Sequence, residues 1–170
     1  EGKETPTEDI KKALRRAIST NKLVPVMCGS ALKGKGIIPL LDAIVGYLPS
    51  PLDVPPVVGH DLTGEKEILC GPNDDEPVAA LAFKVVSDPF MGRLIYMRIY
   101  SGCVQSGTQL LNTGKGKRER IGRLYLMHSN RREELTGAEA GSIVAAVGLR
   151  GTSTGDTLCS PSRPVVFESI

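Results

Sequence analysis

The chain has 170 residues, of which 41% are hydrophobic and 24% charged, with a formal net charge of +2. This apolar content is that of an ordinary globular protein and excludes a disordered chain. No apolar run approaches the ~18–20 residues that a transmembrane helix requires, so we expect no membrane partner. The two histidines and four cysteines are too widely spaced for a zinc site, so we expect no metal ligands.

The first 50 residues alternate between helix and strand signals. Residues 5–8 read Thr-Pro-Thr-Glu, a capping-box pattern, and apolar residues then recur at helical spacing as far as Ile18. The apolar run 23–27 predicts a short buried strand, and a second helix is predicted over 37–48. Because two helices and one strand cannot cover a sheet, residues 1–50 are predicted to be the end of a larger α/β domain.

The composition changes after this part of the chain. Residues 51–76 are rich in proline and turn-forming residues, which predicts an extended linker. Residues 1–76 carry a net charge of −3, whereas residues 77–170 carry +5. Short runs of strand-forming residues separated by turns predict a mainly β unit over 77–170, either a small barrel or a sandwich. These runs are 78–86, 95–100, 109–111, 121–127, 143–147 and 157–159.

Residues 29–36 nearly match the phosphate-binding pattern G-x-x-x-x-G-K-[ST]. A strand signal precedes them and a helix signal follows, but Gly36 stands where the hydroxyl that holds magnesium is required. Two other interpretations stay open. The segment is either a glycine-rich turn or a loop whose main-chain N–H groups contact a nucleotide base, because small residues at 29–31 allow close approach to a flat ring.

The segment 112–123 is strongly basic and contains one acidic residue, Glu119. Its cationic residues are Lys115, Lys117, Arg118, Arg120 and Arg123. In an extended strand Arg118 and Arg120 share the face opposite Glu119. Such a hairpin can follow a phosphate backbone, and the scarcity of nearby aromatic residues favours a duplex backbone over stacked bases. The alternative is a charged face that serves only solubility.

The sequence predicts no catalytic residues. His60 and His128 lie far apart and have no obvious nucleophile partner. Ser30 lacks the G-x-S-x-G setting of an activated serine. Cys28, beside the predicted strand, is more typical of a core residue than of a nucleophile.

Several strings, in their order and spacing, resemble elongation factor G, the family of ribosomal translocation GTPases. Residues 25–33 resemble the fifth G-box of that family with its preceding strand, and residues 36–44 and 47–51 resemble the closing helix of its GTPase domain. The strings that resemble its second domain are 81–84, 87–90, 98–102, 114–123 and 154–158.

This resemblance implies a mainly β fold, with a translation-factor-type β-barrel over about 77–170 preceded by an α/β remnant of a P-loop GTPase domain in residues 1–50. It implies that Ser30, Ala31 and Leu32 form the loop beside the guanine of GTP or GDP, with the Ala31 backbone N–H reaching the base oxygen. It also makes the basic hairpin a candidate contact with small-subunit ribosomal RNA.

The same resemblance implies a longer parent protein. Its phosphate-binding loop, both switches and the Asn-Lys-x-Asp guanine box would precede Glu1, and further domains would follow Ile170. The parent would be a cytoplasmic or organellar GTPase that uses GTP and magnesium. The fragment itself would be monomeric, inactive and without bound nucleotide, and its partners would be the ribosome and the remainder of the GTPase domain. The alternatives are a paralogous ribosome-recycling or ribosome-protection GTPase, and a free-standing RNA-binding β-barrel.

Overall fold

The computed structural model describes residues 4–128 and 131–168. The chain folds into two compact units, Glu1–Val54 and Pro55–Ile170, here called the helical unit and the barrel unit. Within the described residues, no helix is both long enough and apolar enough to cross a membrane.

The helical unit contains α1 (Thr7–Ser19), α2 (Ile37–Tyr47) and a short 3₁₀ turn over Pro51–Asp53. Pro6 precedes α1 with a φ of −57°, which suits entry into a helix, but no side chain caps this end. The predicted capping box is therefore wrong, although the predicted helix forms. The apolar spacing places Ile18 inside the unit, as the helical periodicity requires.

One arginine connects the elements of the helical unit. Arg15 of α1 donates to the carbonyl oxygen of Gly46 in α2 at 3.2 Å, and its guanidinium lies 2.8 Å from the Asp53 carboxylate. The same carboxylate accepts the backbone N–H of Ser50 at 2.9 Å. These contacts lower the pKa of Asp53, with the Ser50 N–H as the largest cause and Arg15 next.

The prediction of a buried strand over 23–27 is wrong. No strand is assigned to this segment, and the side chains of Val24 and Val26 are 80% and 92% exposed. A strand needs a neighbour that pairs with its backbone N–H and C=O groups, and the described part of the helical unit supplies none. Ile38 and Val45 of α2 are also largely exposed, so the unit leaves apolar side chains that it does not itself cover.

The barrel unit is built from short antiparallel strands. Those in the described residues are β1 (Val57–His60), β2 (Glu67–Cys70), β3 (Ala79–Asp88), β4 (Gly92–Ser101), β5 (Val104–Gln105), β6 (Gln109–Asn112), β7 (Lys117–Arg120), β8 (Arg123–His128), β9 (Arg131–Leu135), β10 (Gly137–Ala138), β11 (Ile143–Val147) and β12 (Thr157–Cys159).

The main sheet of the barrel unit has the order β7-β6-β12-β3-β4-β11-β8-β9 in the described residues. The short strands β5 and β10 pair with each other. Because β5 precedes β6 and β10 follows β9, this pairing brings the two ends of the sheet together. The prediction of a mainly β fold of the barrel type is confirmed.

The core of the barrel is aliphatic, as the 4% aromatic content requires. Ile95, Met97 and Ile99 of β4 are fully buried, whereas Tyr96 and Arg98 between them are only partly so. This alternation arises because successive side chains of a strand point to opposite faces. Burying each of these large side chains contributes about 1.5–3 kcal/mol relative to leaving it exposed.

The predicted linker over 51–76 needs correction. The boundary between the two compact units falls after Val54, and β1 and β2 pair as an antiparallel hairpin inside the predicted linker. Cys70 of β2 is buried in a cluster with Phe167, on the outer side of the barrel sheet. A proline-rich composition indicates an extended chain, and an extended chain can pair as strands where a neighbouring segment is in reach. Composition alone therefore does not distinguish an unpaired linker from a β-hairpin.

Candidate nucleic-acid interface

The basic hairpin consists of β6 and β7, joined by the turn 113–116. Its strand β7 reads Lys-Arg-Glu-Arg and lies at one end of the main sheet. Arg118 and Arg120 are exposed, whereas Glu119 is half-buried. The structure thus has the alternation that the sequence predicts for this strand.

The strand β7 forms one wall of a groove of about 590 Å³, here called the basic groove. The opposite wall is the loop 148–151, which follows β11. Glu119 is the one acidic residue that lines the groove in the described part of the chain. Its cationic lining residues are Lys115, Lys117, Arg118, Arg120 and Arg150.

The cations of the basic groove differ in their contacts. Arg120 donates from Nε to the carbonyl oxygen of Gly107 at 3.0 Å, which fixes its guanidinium against the barrel. Among residues 4–128 and 131–168, Lys117 and Arg118 form no ion pair with a carboxylate. Their charges are not neutralised by the protein, which is the condition that favours binding of a polyanion.

Arg123 does not line the basic groove. Its guanidinium lies over the ring of Tyr125, 6.0 Å from the ring centroid, in a cation–π arrangement. Tyr125 packs with Leu94 and Ala145 in a separate buried cluster. The structure therefore brings four of the five predicted residues together and separates Arg123 from them.

Arg150 is the groove residue that the sequence analysis missed. It lies outside the basic run, in the loop after β11, and no charge pattern marks it. Arg93 of β4 holds this loop, because its guanidinium donates to the carbonyl oxygens of Arg150 and Thr152, each at 2.7 Å. The local signal that could have found it is the pair of flanking glycines at 148 and 151, which indicates close backbone contacts.

Glu119 joins the two walls of the basic groove. Its carboxylate accepts the Gly151 backbone N–H at 2.9 Å through one oxygen and the Thr152 hydroxyl at 2.9 Å through the other. A Cβ added to Gly151 would lie 3.2 Å from the carboxylate, so the loop approaches Glu119 closely. Both contacts cross from β7 to the opposite wall.

A buried asparagine extends this network to the hairpin turn. The Nδ2 of Asn112 donates to the Thr152 hydroxyl oxygen at 3.4 Å and to the Asp156 carboxylate at 2.9 Å. Its Oδ1 accepts the backbone N–H of Lys115 at 3.0 Å. Asn112 and Thr152 are both fully buried, where polar groups require hydrogen-bond partners. The turn and the loop are therefore held as one structure.

The segment predicted to contact guanine is a tight turn in the helical unit. Ser30 and Lys35 exchange backbone hydrogen bonds of 2.9 and 3.1 Å, and the Gly34 N–H donates to the Ala31 carbonyl oxygen at 3.1 Å. In the described part of the chain, the N–H groups of Ala31 and Leu32 donate no hydrogen bond, and the Leu32 side chain is 98% exposed. These two N–H groups are therefore unpaired within the described residues.

Two glycines make this turn possible. A Cβ on Gly29 would lie 2.9 Å from the Lys35 carbonyl oxygen, and one on Gly36 would lie 2.9 Å from the Cys28 carbonyl oxygen. Gly36 also has a φ of 78°, a conformation that side chains disfavour. A glycine-rich turn accounts for this backbone, and contact with a nucleotide base stays a prediction.

The remaining chemically reactive side chains are dispersed. Among the described residues, no group of three or more histidine, cysteine or acidic side chains could hold a metal ion. Cys28, Cys70, Cys103 and Cys159 are free thiols. Burial raises the pKa of Cys70 and of Cys159, so these two are core residues with little thiolate character.

Comparison with known families relates the barrel to characterised proteins. Residues 92–159 match the family model for elongation factor Tu domain 2. The matched range begins at the first residue of β4, ends at the last residue of β12 and includes both walls of the basic groove. The barrel unit has a fold of the type found in elongation factor Tu domain 2.

The chain that carries this barrel also resembles a protein from Thermus thermophilus with a known crystal structure. The two match with a TM-score of 0.68 and 30% sequence identity, over 96% of this chain and 22% of the other. The match therefore extends beyond the barrel unit into the helical unit. The chain spans about a fifth of the length of the Thermus protein.

Proposed function

We propose that this chain is a segment of an elongation-factor-G-type GTPase, which promotes the GTP-dependent translocation of tRNA and mRNA on the ribosome. The observation that carries the proposal is a basic groove in a barrel of the elongation factor Tu domain 2 type. In this proposal the helical unit is the end of the GTPase domain, the barrel contacts small-subunit ribosomal RNA, and the protein acts where ribosomes work, in the cytoplasm or an organelle.

The charge of the groove supports an RNA contact. Lys117 and Arg118 are exposed and unpaired within the described residues, so they can bind phosphate and release its counterions. Among the residues that the structure describes, no aromatic side chain lines the groove, which favours contact with a duplex backbone over base stacking. We expect the isolated chain to bind duplex RNA weakly, with a dissociation constant on the order of 10⁻⁴ to 10⁻⁶ M near physiological salt.

The turn at residues 30–35 supports a nucleotide contact in the parent protein. The proposal assigns Ser30, Ala31 and Leu32 to the guanine, with the unpaired Ala31 N–H donating to the base oxygen. The close approach of the backbone at Gly29 to the backbone at Gly36 would hold this N–H in place. GTP with magnesium supplies the phosphoryl-transfer chemistry when it is bound, and the proposal assigns the phosphate and magnesium contacts to other parts of the parent.

The exposed apolar side chains of the helical unit support a partner within the same protein. Val24, Val26 and Ile38 are 80%, 92% and 72% exposed. Such exposure is costly in water and indicates a surface that is covered in the complete protein. We propose that the remainder of the GTPase domain covers it.

Binding of the labelled chain to purified small and large ribosomal subunits tests the proposed RNA contact. We expect preference for the small subunit and a steep loss of affinity between about 50 and about 200 mM salt. The change Arg118→Gln should weaken binding, whereas Lys66→Gln, which removes an equal charge in the exposed turn after β1, should not. Equal binding to both subunits, or equal effects of the two substitutions, would contradict the proposed contact.

The translocation activity is tested with the full-length parent in a reconstituted translation system. We expect GTP-dependent movement of mRNA by one codon on ribosomes with an occupied aminoacyl site, and slower movement with the Arg118→Gln parent. Separation of the subunits after termination, without mRNA movement, would assign the protein to ribosome recycling instead. Release of a ribosome-bound inhibitor without mRNA movement would assign it to ribosome protection.

A further inference from the structure

We propose that Glu119 is a positioning residue of the basic groove: its carboxylate fixes the loop that carries Arg150, so that cations from both walls contact one RNA backbone together. This inference rests on the proposed RNA contact. It assigns a favourable role in polyanion binding to the one negative charge that lines the groove in the described part of the chain.

The loop that carries Arg150 is held from two sides. On one side the Arg93 guanidinium donates to the carbonyl oxygens of Arg150 and Thr152, both at 2.7 Å. On the other side the Glu119 carboxylate accepts the Gly151 N–H and the Thr152 hydroxyl, both at 2.9 Å. The backbone of the loop is therefore fixed through its donors and its acceptors, and the Arg150 side chain extends from a fixed base.

The carboxylate is specifically suited to this task. Two oxygens without hydrogens can accept both donors at once, whereas a glutamine amide presents one acceptor oxygen and one NH₂ donor. With a glutamine at position 119, the amide oxygen can accept the Gly151 N–H, but the NH₂ group then faces the Thr152 hydroxyl, whose hydrogen loses the acceptor that Glu119 supplies. Because Thr152 is fully buried, its lost contact could not be replaced by water.

Positioning and simple charge counting predict opposite results. If Glu119 acts only as a negative charge near the RNA, its neutralisation should strengthen binding, because one repulsive charge is removed. If Glu119 positions Arg150, the same neutralisation should weaken binding, because a cation leaves the backbone it contacts. The sign of the change in affinity separates the two.

The test compares the wild-type chain with Glu119→Gln in binding to a duplex RNA over a range of salt concentrations. We expect Glu119→Gln to bind about three- to ten-fold more weakly, with the salt slope reduced by about 0.9, the value of one phosphate contact. Thr152→Val should have a similar effect, because it removes the hydroxyl while keeping the shape. Thr152→Ser, which keeps the hydroxyl, should bind like the wild type.

A double substitution shows whether Glu119 acts through Arg150. In a chain that already carries Arg150→Gln, the further change Glu119→Gln should no longer weaken binding, because the cation that Glu119 positions is absent. A general loss of structure would weaken binding in both backgrounds. If Glu119→Gln fails to fold by circular dichroism, the Thr152→Val and Thr152→Ser pair decides the question.

The outcomes distinguish this inference from the proposed function. Folded Glu119→Gln that binds duplex RNA as tightly as the wild type, or more tightly, overturns the positioning role and leaves the RNA contact intact. If the wild type does not bind duplex RNA, the proposed contact fails, and elution from immobilised heparin then tests the groove with a different polyanion. Earlier elution of Glu119→Gln supports the positioning role, and equal or later elution overturns it.

Discussion

The guanidinium of Arg132 lies 2.6 Å from the carboxylate of Asp88, and this ion pair joins β9 to the turn between β3 and β4. The same carboxylate accepts the backbone N–H groups of Phe90 and Met91 at 2.9 and 3.0 Å. Asp88 therefore holds the turn through backbone N–H groups and also pairs with Arg132. Arg132 belongs to β9, which lies at the opposite end of the main sheet from β7. Arg132 thus stabilises a turn of the barrel, whereas Arg118 and Arg120, which lie close to it in sequence, line the basic groove.

The Asp88 contacts predict an acid-dependent loss of stability. The Phe90 N–H is the largest cause that lowers the pKa of Asp88, and Arg132 also lowers it. Because the pKa is lower in the folded state, the stabilisation is present above the ordinary aspartate pKa and is lost as the pH falls through the folded value. The change Asp88→Asn should lower the free energy of unfolding at neutral pH. In acid, the free energies of unfolding of Asp88→Asn and the wild type should lie closer together.

Urea unfolding of both chains at a series of pH values measures this difference. A matched control is Glu134→Gln, which removes an exposed carboxylate on β9 that forms no ion pair among the described residues. A difference between wild type and Asp88→Asn that stays constant from neutral to acidic pH would contradict the assigned role.

The salt dependence of RNA binding should separate Arg118 from Arg123. We expect Arg118→Gln to reduce the slope of log affinity against log salt by about 0.9. We expect Arg123→Gln to leave it unchanged, because that guanidinium lies over Tyr125 outside the groove. Fluorescence anisotropy with a labelled RNA duplex measures both slopes. Equal effects of the two substitutions would show that charge alone, without the groove, governs binding.

Removing core volume should destabilise the barrel strongly. Ile99 of β4 is fully buried, and Ile99→Ala should lower the free energy of unfolding by about 2–5 kcal/mol. Phe90, a larger side chain, is 90% exposed at the turn between β3 and β4, so Phe90→Ala should change it by no more than about 0.5 kcal/mol. Denaturant titration followed by circular dichroism gives both values, and a larger effect at Phe90 would contradict the assigned core.

Two glycines of the helical unit should respond in opposite directions to alanine. Gly36→Ala combines a φ of 78° with a Cβ 2.9 Å from the Cys28 carbonyl oxygen, and should cost at least about 1–2 kcal/mol. Gly46→Ala, in α2 with open space around the added Cβ, should stabilise the helix by about 0.5–1 kcal/mol. Thermal melting of the helical circular dichroism signal compares them, and a stabilising Gly36→Ala would refute the assigned turn.

The barrel was largely predictable because its strands alternate between a packed interior and an outer face. The runs 143–147 and 157–159 coincide with β11 and β12. The strand β9 was missed because its residues Arg131 to Glu134 are all charged and exposed, and its pairing with β8 depends on backbone hydrogen bonds that leave no apolar pattern. The error over 23–27 has the opposite origin, since an apolar run without a partner strand cannot pair.

The candidate site was predictable only where its residues are consecutive. Four of the groove cations lie in one basic run between Lys115 and Arg120. Arg150 comes from a distant loop, and the sequence does not indicate that Arg93 and Glu119 hold that loop beside β7. Such contacts depend on the register of the whole barrel, which local periodicity does not specify.

The strands β7 and β9, at the two ends of the main sheet, are both composed almost entirely of charged residues. The strand β7 carries three cations and one acidic residue, and a terminal strand with such an excess of one charge resists pairing with the same strand of another molecule. The residues of β7 therefore also protect the protein against edge-to-edge self-association. Substitutions that neutralise charges of β7 to weaken RNA binding therefore also weaken this protection against self-association. Each variant with reduced affinity should be checked for self-association by sedimentation before its dissociation constant is interpreted.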